Sequence, residues 1–85
     1  MIARQLETIV NQRERAYTAA GMRDAVKLQA ISTLKRILTF CKGKPEYQQL
    51  NMLRPYKGQM QAIMPGHRSR FQGIRNKLST LIDIL

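Results

Sequence analysis

The chain lacks tryptophan and holds only three tyrosines, two phenylalanines, one cysteine and five acidic side chains. Each shortage closes off a class of protein. Cys41 stands alone, so neither an internal disulfide nor a zinc cluster can form, and a reducing compartment fits. The acidic groups Glu7, Glu14, Asp24, Glu46 and Asp83 are scattered, with a single imidazole, His67. Metal sites and acid–base pairs need such groups clustered, so no metal, cofactor or enzymatic activity is expected. A nucleophilic site would have to join Cys41 to His67, but Cys41 falls on an apolar helical face where a thiol packs as a small core residue. Gly58, Gly66 and Gly73 are isolated and make no phosphate-cradling loop. With so few aromatics, a stacking platform for single-stranded nucleic acid is not expected either.

Long apolar runs are missing as well. The opening MIARQLETIVNQRER has no continuous apolar stretch of the kind a signal peptide needs. No segment approaches the roughly 20 apolar residues of a membrane span. A soluble, cytoplasmic protein is the expectation. Period-two alternation is absent and so are Asn-Gly and Asp-Gly hairpin turns, which leaves an all-α fold.

What the chain does have is positive charge. Fifteen Lys and Arg against five acids give a formal net charge of +10 over 85 residues. The excess is uneven. Residues 1–24 carry four basic and three acidic groups, and residues 25–85 carry the other eleven against two. Repulsion on that scale contributes nothing to folding and points to a negatively charged partner.

Residues 1–85 read as one small domain, a compact bundle of four to five helices whose core rests on Ile, Leu, Met and Ala. Ile2, Leu6, Ile9, Val10, Tyr17 and Ala20 form the stripe of a first helix over 2–20, interrupted by Arg13. Gly21 suits a left-handed C-cap and Asp24 an N-cap. A second helix over 24–41 carries Ala25, Leu28, Ile31, Leu34, Leu38 and Cys41, and the short turn makes the two an antiparallel hairpin. The run YTAAGMRDAVKLQAI is similar to the bend of a tetratricopeptide hairpin. It is one residue shorter and has no second copy, so it is read as a generic tight hairpin.

Pro45 suits the first position of a short helix with Tyr47, Leu50 and Leu53 inward, and Pro55 ends or kinks it. A second short helix over 56–64 is expected, with Met60 and Met64 filling gaps in the core. A final amphipathic helix is predicted from about His67 to Ile84, with Phe71, Ile74, Leu78, Leu81 and Leu85 as its seam. Arg68, Arg70, Arg75 and Lys77 border that seam, and a parallel homodimer through it would set basic against basic. Packing on the first helix, with Glu7 and Glu14 along Arg75 or Arg68, is the expectation instead.

The functional expectation follows from this last helix. Arg68, Arg70, Gln72, Arg75, Asn76 and Lys77 combine phosphate-binding cations with side chains that read base edges. Lys35, Arg36, Lys42 and Lys44 make a second basic patch. DNA or RNA is the first partner expected. The alternative is a small regulator that inhibits or adapts a larger protein with an acidic surface. Residues AISTLKRILTFCKGK could lie on a membrane surface, but the same stripe is needed for the hairpin core, so a membrane is the weaker expectation and self-association is left open.

Overall fold

Ile2–Ala19 forms α1, and its last turn shows how the chain reverses. Gly21 takes a φ of +64°, its N–H donates to Thr18 O and the Met22 N–H reaches back to Tyr17 O at 3.0 Å. This is a Schellman ending, and glycine supplies the positive φ without strain. Asp24 then caps α2, Ala25–Cys41, by accepting from the N–H groups of Val26 and Lys27 at 3.0 and 3.3 Å. The expected hairpin is present, with α1 and α2 packed together. The structure, a computed structural model, describes all of residues 1–85.

At the far end of α2 the chain makes a type II turn. Lys42 has φ −60° and ψ 133°, Gly43 has φ +77°, and the Lys44 N–H closes onto Cys41 O at 3.1 Å. The next elements are α3 (Glu46–Leu53), a 3-10 turn over Arg54–Tyr56 and α4 (Lys57–Ala62). The two expected short helices are present, α3 and α4, joined through the 3-10 turn that holds Pro55 with no non-helical residue between them. Pro45 is the N-cap residue of α3, one position earlier than expected. Tyr47 points outward. The inward positions are Gln49 and Leu53, with Leu50 and Met52 half-buried.

The last helix, α5, spans Gln72–Ile84. It begins five residues later than the amphipathic pattern suggests. Residues 64–71 are held as a loop by local bonds: the Phe71 N–H donates to Ser69 Oγ at 3.0 Å, and the Gln72 amide donates to the carbonyls of Gly66, His67 and Ser69. Side chains that bond the backbone nearby compete with helix formation, and here they win.

The bundle is all-α, four helical rods around a single cluster of buried residues from every α-helix. Leu6, Val10, Leu34, Leu53, Met60, Ile63 and Leu78 are fully enclosed. On α5 the seam is only partly core: Leu78, Leu81 and Leu85 are buried, while Phe71 and Ile74 are half-buried. α5 lies against α1 and runs antiparallel to it, with Phe71 stacked on Arg13 at one end and Ile84 lining a groove that reaches Gln5 at the other.

Two buried polar residues tie the frame together. Gln49, 4% exposed, accepts from the Ala3 N–H at 3.4 Å and donates to Cys41 O and Lys44 O at 3.3 and 3.0 Å. Glu46 accepts from the Ile2 N–H at 2.9 Å. Side chains of α3 therefore complete the bare N-terminus of α1 and hold the turn after α2. Arg13, 7% exposed, donates from Nε to Ile63 O at 2.9 Å and from Nη2 to the Tyr17 hydroxyl at 3.4 Å. Ile63 caps the C-terminus of α4, where carbonyls lack helical partners, so the guanidinium meets an electron-rich end.

Candidate nucleic-acid interface

The loop between α4 and α5 gathers His67, Arg68 and Arg70 at one end of the bundle. Because α5 starts at Gln72, Arg68 and Arg70 are loop residues and do not border a helical seam. Arg70 stacks on Phe71 with its guanidinium carbon 5.1 Å from the ring centroid, and Arg13 lies 5.4 Å from the same ring. Arg13 also sits 4.8 Å from the Tyr17 centroid. Tyr17, Arg13, Phe71 and Arg70 thus alternate ring and cation from the core to the surface, each contact favoured by the ring quadrupole. The ladder anchors the loop and fixes where Arg70 emerges.

Arg75, in the first turns of α5, places Nη2 2.9 Å from the ring nitrogens of His67. It joins Arg68 and Arg70 in the loop patch. Gln72 does not present a free amide, since its nitrogen holds the loop carbonyls. Asn76 and Lys77 lie further down α5 and line a groove of about 530 Å³ against Gln5 and Gln12 of α1. The final helix therefore divides its polar side chains between the loop and this groove.

The second basic patch is also divided. Lys35 donates to both carboxylate oxygens of Glu14, at 2.9 and 3.1 Å, and links α2 to α1. This replaces the expected pairing of Glu14 with the arginines of the last helix. Both side chains are nearly half exposed to water, so the pair contributes little, about 0–1 kcal/mol. Arg36 is exposed on α2, and Lys42 and Lys44 project from the turn held by Gln49.

The loop patch and the Lys42–Lys44 turn are set apart along α1, whereas Lys35, bonded to Glu14, lies level with Arg13. Gln49 fixes the Lys42–Lys44 turn beside Ala3, whereas the loop patch stacks on Arg13 through Phe71. Ten residues of α1 separate those anchors, about 15 Å of helix. The long dimension of the whole molecule is 35 Å.

Aromatic exposure departs from the sequence expectation. Phe40 is 61% exposed and Tyr47 69% exposed, although the chain has few aromatics to spare. Both flank the Lys42–Lys44 turn. The signal is present in the sequence, since Phe40 falls off the Leu34, Leu38, Cys41 stripe of α2.

Cys41 is buried at that same end, and burial pushes its thiol up from the ordinary value. His67 stands in the loop at the other end. No group of three His, Cys, Asp or Glu side chains is placed to hold a metal ion, and no helix is long and apolar enough to cross a membrane. No protein-family model matches the chain, and no curated protein or solved structure does.

Proposed function

We propose that this protein is a non-enzymatic helical module that binds DNA or RNA through phosphate contacts, with Arg75, Asn76 and Lys77 of α5 reaching base edges. One observation carries the reading. Of fifteen Lys and Arg, only Lys35 lies within ion-pair distance of a side-chain carboxylate. Arg68, Arg70, Lys42 and Lys44 are exposed and lack a carboxylate partner, which leaves uncompensated positive charge on the loop before α5 and on the turn after α2. Phosphates supply the missing counter-charge, and their condensed cations are released on binding.

The test is titration of labelled duplex DNA and RNA at several salt concentrations. Affinity is expected to fall steeply as salt rises, in proportion to the phosphates contacted. Absence of binding at low salt ends the reading, and salt-insensitive binding contradicts phosphate contact.

The second reading is a regulator of an acidic-surfaced protein. It is supported by Val26, Phe40, Tyr47 and Ile84, large apolar side chains left more than half exposed. A stoichiometric partner retained after nuclease treatment, and released on charge reversal at Arg68 and Arg75, would favour it.

A further inference from the structure

The corner between α2 and α3 combines features that a duplex-binding surface does not need. Phe40 lies in the last turn of α2 and Tyr47 in the first turn of α3, and each exposes well over half of its side chain. The other three aromatics turn inward: Tyr17 is buried in the core, and Tyr56 and Phe71 are half-buried. Neither Phe40 nor Tyr47 takes part in a cation–π stack within the chain. Two rings left in water at one corner are available to stack on a planar partner.

The surroundings say which. Arg36 lies one helical turn before Phe40, on the same face of α2. Lys42 and Lys44 lie between the two aromatic residues in sequence, in a turn whose shape is set by Gly43 and by the Gln49 amide. Two acids lie near this corner: Glu46 is engaged with the Ile2 N–H, and Glu7 of α1 lines the same groove as Lys42 and Gly43 without an ion pair to either lysine of the turn. Lysine is depleted from the cores of protein interfaces, whereas alternating cations and exposed rings suit unpaired nucleotides. In a duplex the bases are already stacked on one another and offer no face to Phe40 or Tyr47.

We infer that this corner is a binding platform for single-stranded nucleic acid: Phe40 and Tyr47 stack on unpaired bases while Arg36, Lys42 and Lys44 hold the intervening phosphates. The inference rests on the nucleic-acid reading above and narrows it to unpaired strands. Because Gln49 fixes the turn in the free protein, the backbone that carries Lys42 and Lys44 needs little rearrangement on binding.

Fluorescence anisotropy with a labelled oligothymidylate of about 12 nucleotides, and with a duplex of the same length, tests it at low and moderate salt. The intact chain should bind the single strand more tightly than the duplex. Phe40→Ala and Tyr47→Ala should each weaken single-strand binding about tenfold, within the range found when base stacking is removed, and leave duplex binding unchanged. Val26→Ala, at an exposed apolar site in the first turn of α2, should change neither. Circular dichroism confirms that each variant is folded. Single-strand affinity unaltered by the aromatic substitutions, or equally reduced by Val26→Ala, overturns the platform while leaving general phosphate binding in place. Failure of both probes to bind overturns the platform and the broader reading together.

Discussion

Arg13 breaks the apolar stripe of α1, yet it is the side chain around which one end of the molecule is packed. Its guanidinium lies between the rings of Tyr17 and Phe71 and donates to Ile63 O, so it joins α1, α4 and the loop before α5. Arg13→Ala would leave the Ile63 carbonyl without its donor and is expected to destabilise the fold by about 1–3 kcal/mol. Arg13→Lys should recover little of this, because an ammonium cannot lie flat between two rings and keep the fork of donors. Urea unfolding measures both, and a midpoint unchanged in Arg13→Ala would refute the role. Cys41 supports a different measurement. Its thiol is raised by burial, so the folded state holds the proton more tightly than the unfolded chain. The resulting stability is intact below the ordinary thiol value of 9.0 and is lost as pH rises through the raised folded value. Cys41→Ala should remove that decline from the stability–pH curve. In the native protein at pH near 8, a thiol reagent should react only as fast as the chain opens; rapid reaction of the folded form would contradict the burial.

The ends of the elements carry much of the specificity of the fold. Asp24→Ala removes the side-chain cap of α2 and should cost about 1 kcal/mol. Thermal unfolding at fixed pH would show it, and a neutral result would mean that water replaces the carboxylate. Gly21 and Asp24 can be placed from the sequence because both act on their own neighbours: a positive φ demands glycine, and a cap bonds residues two and three positions ahead. The onset of α5 cannot be read the same way. Its apolar spacing continues back through Phe71, and periodicity does not show that Ser69 and Gln72 direct their hydrogen bonds to the loop. Tyr47 reads as inward for a similar reason. The spacing of Tyr47, Leu50 and Leu53 is helical, but Gln49 occupies the inward position because two distant helix ends require its amide. Contacts made across 46 residues leave no local trace.

At the scale of the whole molecule, the charge sets the functional expectation, and the fold distributes it. Both basic regions are evident as runs in the sequence; the separation of the loop from the Lys42–Lys44 turn along α1 is not, because it depends on how the rods pack. The separation has a measurable consequence for the proposed phosphate binding. Sites this far apart share no partners, so their contributions should add. Replacing Arg68 and Arg70 by Ala should reduce the slope of log affinity against log salt by about 0.7–0.9 for each phosphate no longer neutralised, and replacing Lys42 and Lys44 should do the same independently. A combined variant whose slope change is far from the sum would mean that the two ends do not engage one strand additively.

The capping of α1 by Glu46 and Gln49 also bears on how the chain comes to be folded. During synthesis the first helix leaves the ribosome before the residues that finish its opening turn exist. Its hairpin with α2 can form in the meantime, but the Ile2 and Ala3 N–H groups and the turn after Cys41 wait for α3. The opening turn of α1 is therefore completed only once α3 exists, and a nascent chain halted before residue 49 should remain open to proteases where the longer chain resists them.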